Sequence, residues 1–213
     1  MEKSPSVTTW FLMGFLAFPV VTLAHECGHL LIGYLFHWPG PALHYASASF
    51  ADEEEVQRLI NSSDFTSAAK IHPLWQVALS NIAGPLVSVL IILGTAIWTN
   101  WRGPQPLTLA LGFAAAGRFV APLATGAVLL VRWLLSVHGP FHPTIDEYSC
   151  GLHLGVPPAM VIFLSLTAAA CCLFWLLAGV WRRELRWPLT VLVTGITCGA
   201  VAYFYFLGPI LLP

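Results

Sequence analysis

Long runs of apolar residues alternate with short polar breaks along this 213-residue chain. The runs fall near residues 8–36, 73–98, 106–136, 157–181 and 188–211, each long enough to cross a hydrocarbon core of about 30 Å as a helix. The pattern predicts an all-α polytopic membrane protein of about five transmembrane helices. The first and third runs exceed the length a span needs, so a tilt or kink is expected in each. Pro19 lies inside the first run, lacks a backbone N–H, and is expected to loosen the helix a turn or two before His25. Lys3 and the apolar residues up to Ala24 have the look of a secretory leader. The run resumes after His25–His29 as Leu30–Phe36, however, and that length reads as a spanning helix rather than a cleaved leader.

The largest polar stretch runs from Trp38 to His72, opens with Pro39, Gly40 and Pro41, and carries the acidic run Asp52–Glu55. A short helix is expected within it. Ala46, Ala48 and Phe50 alternate with Tyr45, Ser47 and Ser49, a strand signal that Leu43 and His44 put out of phase. A second polar stretch covers His138 to Pro158. With no internal repeat and no low-complexity segment, residues 1–213 read as one domain.

Only 9% of the residues are charged and 57% are hydrophobic. An ordinary soluble domain, about a quarter charged, is thereby excluded. The nine Lys and Arg are scattered and the net charge is −1, so there is no basic face for nucleic acid. In a five-span arrangement Lys3, Arg102, Arg182, Arg183 and Arg186 fall on one side, which is then expected to be cytoplasmic; Arg58 and Lys70 fall on the other, and Arg132 runs counter to the trend. The five cysteines form no CxxC pair and mostly sit in apolar runs, where thiols behave as small hydrophobes, so no structural disulfide is expected. Trp10, Trp38, Trp75, Trp98, Trp101, Trp133, Trp181 and Trp187 lie near span ends and are expected to form an interfacial belt.

The chemistry concentrates in His25-Glu26-Cys27-Gly28-His29. Two imidazoles four residues apart share one helix face and can reach one zinc ion, while Glu26 stands beside it to take a proton from bound water. A pair of ordinary core histidines is the competing reading. Three ionisable groups within five residues of an apolar span cost several kcal/mol unless paired, metal-bound or wet, which favours the metal.

This motif on a spanning segment resembles the site-2 proteases, intramembrane zinc metalloproteases whose HExxH lies on a transmembrane helix. Ser80-Asn81-Ile82-Ala83-Gly84-Pro85 in the second run is similar to that family's Ala-Gly-Pro element. Gly84 and Pro85 would let the helix bend and a neighbouring chain approach closely. Asn81, polar at the start of an apolar span, is a candidate either to hold a substrate carbonyl or oxyanion or to tie two helices together.

The resemblance implies a third zinc ligand, an aspartate on a later segment. The best match is Asp146 in His142-Pro143-Thr144-Ile145-Asp146-Glu147-Tyr148, since Asp52 and Asp64 belong to the acidic loop; Glu147 and His142 are the alternatives. Thr144 precedes Glu147 by three residues, as in a capping box, so a helix starting at Thr144 and ending near Gly155 is expected. Arg118, deep in the third run, should face the interior and pair with Glu147, Asp146 or a substrate carbonyl, unless the run is really two segments breaking near Gly117.

The resemblance thus implies a single membrane metalloprotease domain that uses Zn2+ and hydrolyses a peptide bond in or near a transmembrane helix of a membrane-protein substrate. His25, His29 and Asp146 would hold the metal, Glu26 and Asn81 would act on the substrate, and residues 38–72 would cover or present it. A bacterial cytoplasmic membrane is the expected location. The alternative is a transporter or assembly factor whose buried His and Glu bind an ion or relay protons.

Overall fold

In the computed structural model, which describes residues 5–62, 64–137, 143, 145–181 and 186–212, apolar length decides the architecture. Among the described residues, five stretches are long and apolar enough to cross a membrane: Val7–Leu35, Leu74–Arg102, Pro106–Leu134, Pro158–Trp181 and Pro188–Leu211. Helix α1 is Val7–Leu35, opened by Ser6, whose hydroxyl accepts from the Thr9 N–H. It runs through Pro19 without a break. The carbonyl that Pro19 leaves without its N–H is that of Phe15. Gly199 lies against that carbonyl so closely that a Cβ there would collide with it.

Two short strands follow, β1 (Ala42–Leu43) and β2 (Ala48–Ser49), paired antiparallel with Ala42 opposite Ser49 and Leu43 opposite Ala48. The sequence alternation breaks at Leu43 and His44 because residues 44–47 form the turn, closed by the His44 N–H donating to the Ser47 carbonyl. The loop continues with two short helices, α2 (Glu53–Asn61) and α3 (Phe65–Ile71), where one was expected. They close over Val56, Ile60 and Ala68. The second span is α4 (Leu74–Arg102).

The third apolar run is two helices, α5 (Pro106–Gly117) and α6 (Val120–Leu134). At the junction the N–H groups of Arg118 and Phe119 bond three residues back, to Ala115 and Ala116, in a tightened turn. Helix α7 (Asp146–Leu154) starts at Asp146, with Ile145 before it and no side-chain cap, rather than at Thr144, which lies outside the described residues. Gly155, at φ 68°, ends it in the left-handed conformation that glycine adopts without a Cβ penalty. Helices α8 (Pro158–Trp181) and α9 (Arg186–Ala202) follow, then a π-helical turn at Tyr203–Leu207 and α10 (Gly208–Leu211).

Helix α1 sits centrally, packed most extensively on α9 and also on α4 and α5. The shared core is rich in small side chains: Ala17, Ala96, Ala110, Ala114 and Ala115 are buried with Ile92, Leu109, Leu176 and Leu192. Small residues let backbones approach where lipid offers no hydrophobic driving force. Trp10 belongs to this core and not to an interfacial belt. Trp38 is also buried, stacked on His72 with ring centroids 4.4 Å apart. Trp75, Trp98, Trp101, Trp133 and Trp181 are exposed as the belt requires; the Trp187 side chain lies outside the description. The loop after the first span and the segment holding α7 both follow an odd-numbered span, so they emerge at one end of the bundle. Between them lies the cavity described next.

Candidate functional site

His25, Glu26 and His29 lie on α1 and are all buried. The face that His25 and His29 occupy meets α4, which runs antiparallel and carries Ser80, Gly84 and Ser88 at spacings of four. The two rows interlock. Nδ1 of His29 donates to the Ser80 carbonyl at 2.7 Å, and Nδ1 of His25 is 3.0 Å from the Ser88 hydroxyl. Because a carbonyl only accepts, His29 must carry its proton on Nδ1, which turns the Nε2 lone pair inward. Gly84 lies between them. A Cβ there would collide with the Nε2 atoms of both imidazoles, and one on Gly28 would come within 3.0 Å of the Ala83 backbone. The glycine pair is what lets α4 reach the histidines.

Asp146, the first residue of α7, completes the group. Its Oδ2 lies 3.1 Å from His25 Nε2 and 3.5 Å from His29 Nε2. One ligand atom from each of the three residues falls within 4.8 Å of the others. A tetrahedral ion with zinc-type bond lengths separates its ligand atoms by roughly 3.4 Å, so this donor set fits a metal ion with little rearrangement. The Asp146 side chain keeps 37% of its surface, leaving the group open on the cavity side. Burial acts to raise its carboxyl, but the adjoining imidazoles together outweigh burial and hold it below the usual carboxylate range.

The helix carrying Asp146 is held by side chains from two spans. Asn81 on α4 donates to Nδ1 of His153 at 3.0 Å, and Ser165 on α8 donates to Glu147 at 3.0 Å. Gly151 abuts the Pro158 backbone. Burial pushes the His153 imidazole below its ordinary value, in keeping with a neutral ring that accepts from Asn81. Of the two roles open to Asn81, the structure displays the helix tie, with its side chain also lining the cavity. Glu147, an alternative third ligand, turns toward Ser165 and does not join the group. His142, the other alternative, and His138 lie outside the described residues.

A cavity of about 380 Å³ joins the group to the loop between the first two spans. Glu26, Asp146 and Asn81 line it on one side, with Ala46–Ala48, Phe50 and His72 on the other. Two features here escape a linear reading. Arg118 donates to Glu26 Oε1 at 3.3 Å, rather than to Glu147 or Asp146. The hairpin reaches the same carboxylate through the Ala48 backbone N–H. It is anchored by Phe50 packed on Gly33, and by the Tyr203 hydroxyl donating to the Tyr45 carbonyl at 2.7 Å. The Ser80/Gly84/Ser88 row was visible as a spacing of four that mirrors His25 and His29. Nothing local signals a pairing across 92 residues. In comparisons with known proteins, no family model, no curated protein and no solved structure matches the chain.

Proposed function

We propose that the chain is an intramembrane zinc metalloprotease of the site-2 type, which hydrolyses a peptide bond in or near a transmembrane segment of another membrane protein. The observation that carries this reading is the convergence of His25, His29 and Asp146, with ligand atoms 3.1 and 3.5 Å apart, beside Glu26 in one cavity.

In this reading His25, His29 and Asp146 would hold zinc, which when bound would acidify a water to a pKa of about 7. Glu26 takes a proton from the attacking water and returns it to the leaving amine. Ser80 and Ser88 fix the imidazoles, and Asn81 fixes the helix that presents Asp146. A helical substrate keeps its carbonyls in its own hydrogen bonds, so it must unwind locally before attack. Residues 46–48, along the cavity wall, suit an extended segment laid against the hairpin.

Elemental mass spectrometry of detergent-purified protein tests the centre. One zinc per chain is expected in the wild type and little in His29→Ala or Asp146→Ala. Glu26→Gln should keep its zinc and lose cleavage of a co-reconstituted single-span membrane reporter. Zinc lost only in His29→Ala removes Asp146 from the ligand set. A wild type without zinc after reconstitution, or a Glu26→Gln variant that still cleaves, overturns the reading in favour of an ion- or proton-handling membrane protein.

A further inference from the structure

Arg118 stands where a spanning helix breaks. Irregular backbone at that depth persists where it is enclosed by protein or lines a cavity, and a guanidinium there is retained only with a partner or a task. The tightened turn at Arg118–Phe119 separates α5 from α6 and brings Arg118, Phe119, Ala121 and Pro122 to the cavity wall. Its guanidinium meets Glu26 with one terminal nitrogen. A guanidinium has five donors in a fixed fork, and Glu26 is its one hydrogen-bond partner among the described residues. The same charge is near enough to His25, Glu147 and Tyr203 to act on each electrostatically. Among the described residues, donors thus remain inside the cavity, beside the carboxylate that would deprotonate the water.

We propose that Arg118 is the oxyanion-binding residue of the site: held against Glu26 by one nitrogen, it uses its remaining N–H groups to bind the negative oxygen that forms on the scissile carbonyl. The inference rests on the proteolytic reading above and adds a residue to it. Water adds to the carbonyl carbon, a C–O bond forms, and the C=O π pair moves onto oxygen while Glu26 takes the proton. On collapse that pair re-forms C=O, the C–N bond breaks, and the amine leaves with the proton from Glu26. Charge at the oxygen exists only between these steps, so a preorganised donor aimed there favours the transition state over the bound substrate. Asn81, the donor the sequence offered for this task, is tied to His153. Arg118 is better placed for it.

The test uses full-length, zinc-loaded protein in detergent and two probes. Acetohydroxamate chelates the metal alone; a phosphinic dipeptide also presents tetrahedral anionic oxygens in place of the intermediate. Arg118→Gln is expected to weaken the phosphinic dipeptide ~30-fold, the scale of a lost charge-assisted hydrogen bond. Arg118→Lys, which keeps the charge and loses the fork, should weaken it ~5-fold. Acetohydroxamate affinity should move less than about threefold in both, with zinc still at one per chain. Should Arg118→Gln fail to fold or to hold zinc, Arg118→Lys decides alone. Equal affinity of wild type and variants for the dipeptide overturns the proposal. So does a parallel loss of both probes, which marks a merely structural residue, or a wild type that binds acetohydroxamate and not the dipeptide. A wild type that holds no zinc or binds neither probe overturns the proteolytic reading itself.

Discussion

The two halves of the candidate centre are built by different means. On the α1 side, His25 and His29 are fixed by helix periodicity: a spacing of four meets the same spacing in Ser80, Gly84 and Ser88, inside two 29-residue helices. On the α7 side, Asp146 begins a nine-residue helix outside the spans, aimed by side-chain ties to α4 and α8. The first half is set by backbone geometry and tolerates no added volume. The second depends on a few hydrogen bonds and can be loosened by degrees.

The largest expected effect comes from filling the space between the rows. Gly84→Val places carbon where both Nε2 atoms lie, so stoichiometric zinc should disappear by elemental analysis while the helical content measured by circular dichroism is retained. A variant that still holds zinc would show that α4 can slide, and the contrast between rigid and adjustable halves would fail. Next is Asn81→Ala, which frees α7 from α4. Zinc affinity should fall by about 30-fold in competition with a chelator, within the range for removing a group that orients a ligand. Ser88→Ala should fall by only about tenfold, because α4 still confines the His25 ring. If Ser88→Ala proves the more damaging of the two, the α1 side depends on its hydrogen bonds after all.

The smallest effect is one of pH. His153 titrates below its ordinary 6.5 when folded, so the unfolded chain binds its proton first as pH falls. Its contribution to stability is complete above about pH 6.5 and is lost progressively below that value. Wild-type melting temperature should therefore drop more between pH 7.5 and 5.5 than that of His153→Gln. Parallel curves would remove His153 from the α7 anchorage.

Much of this was legible in the chain, and for identifiable reasons. Apolar length marks the five spans because a hydrocarbon core has a fixed thickness. The His25/His29 pair is legible because an i, i+4 spacing is a helix face. Asp146 could be singled out only with the help of a family resemblance, since its approach to α1 spans 121 residues. The Arg118–Glu26 pair had no local signature at all, and the sequence offered other partners. Trp10 and Trp38 show the opposite failure: nearness to a span end reads as an interfacial position, whereas Trp10 packs into the core and Trp38 stacks on His72.

The close packing of Gly14, Gly195 and Gly199 against the facing backbones of α1 and α9 bears on how the molecule is made. In chain order the helix carrying His25, Glu26 and His29 is separated from its most extensive partner, α9, by three intervening spans. During insertion, α1 waits in lipid with its small-residue groove unfilled until four more spans have followed. The histidines meet their own support earlier, because Ser80 and Ser88 lie on α4, the next span in the chain. The pairing that closes the bundle around α1 waits for the last of the five spans to arrive, a timing set by the order of the helices alone.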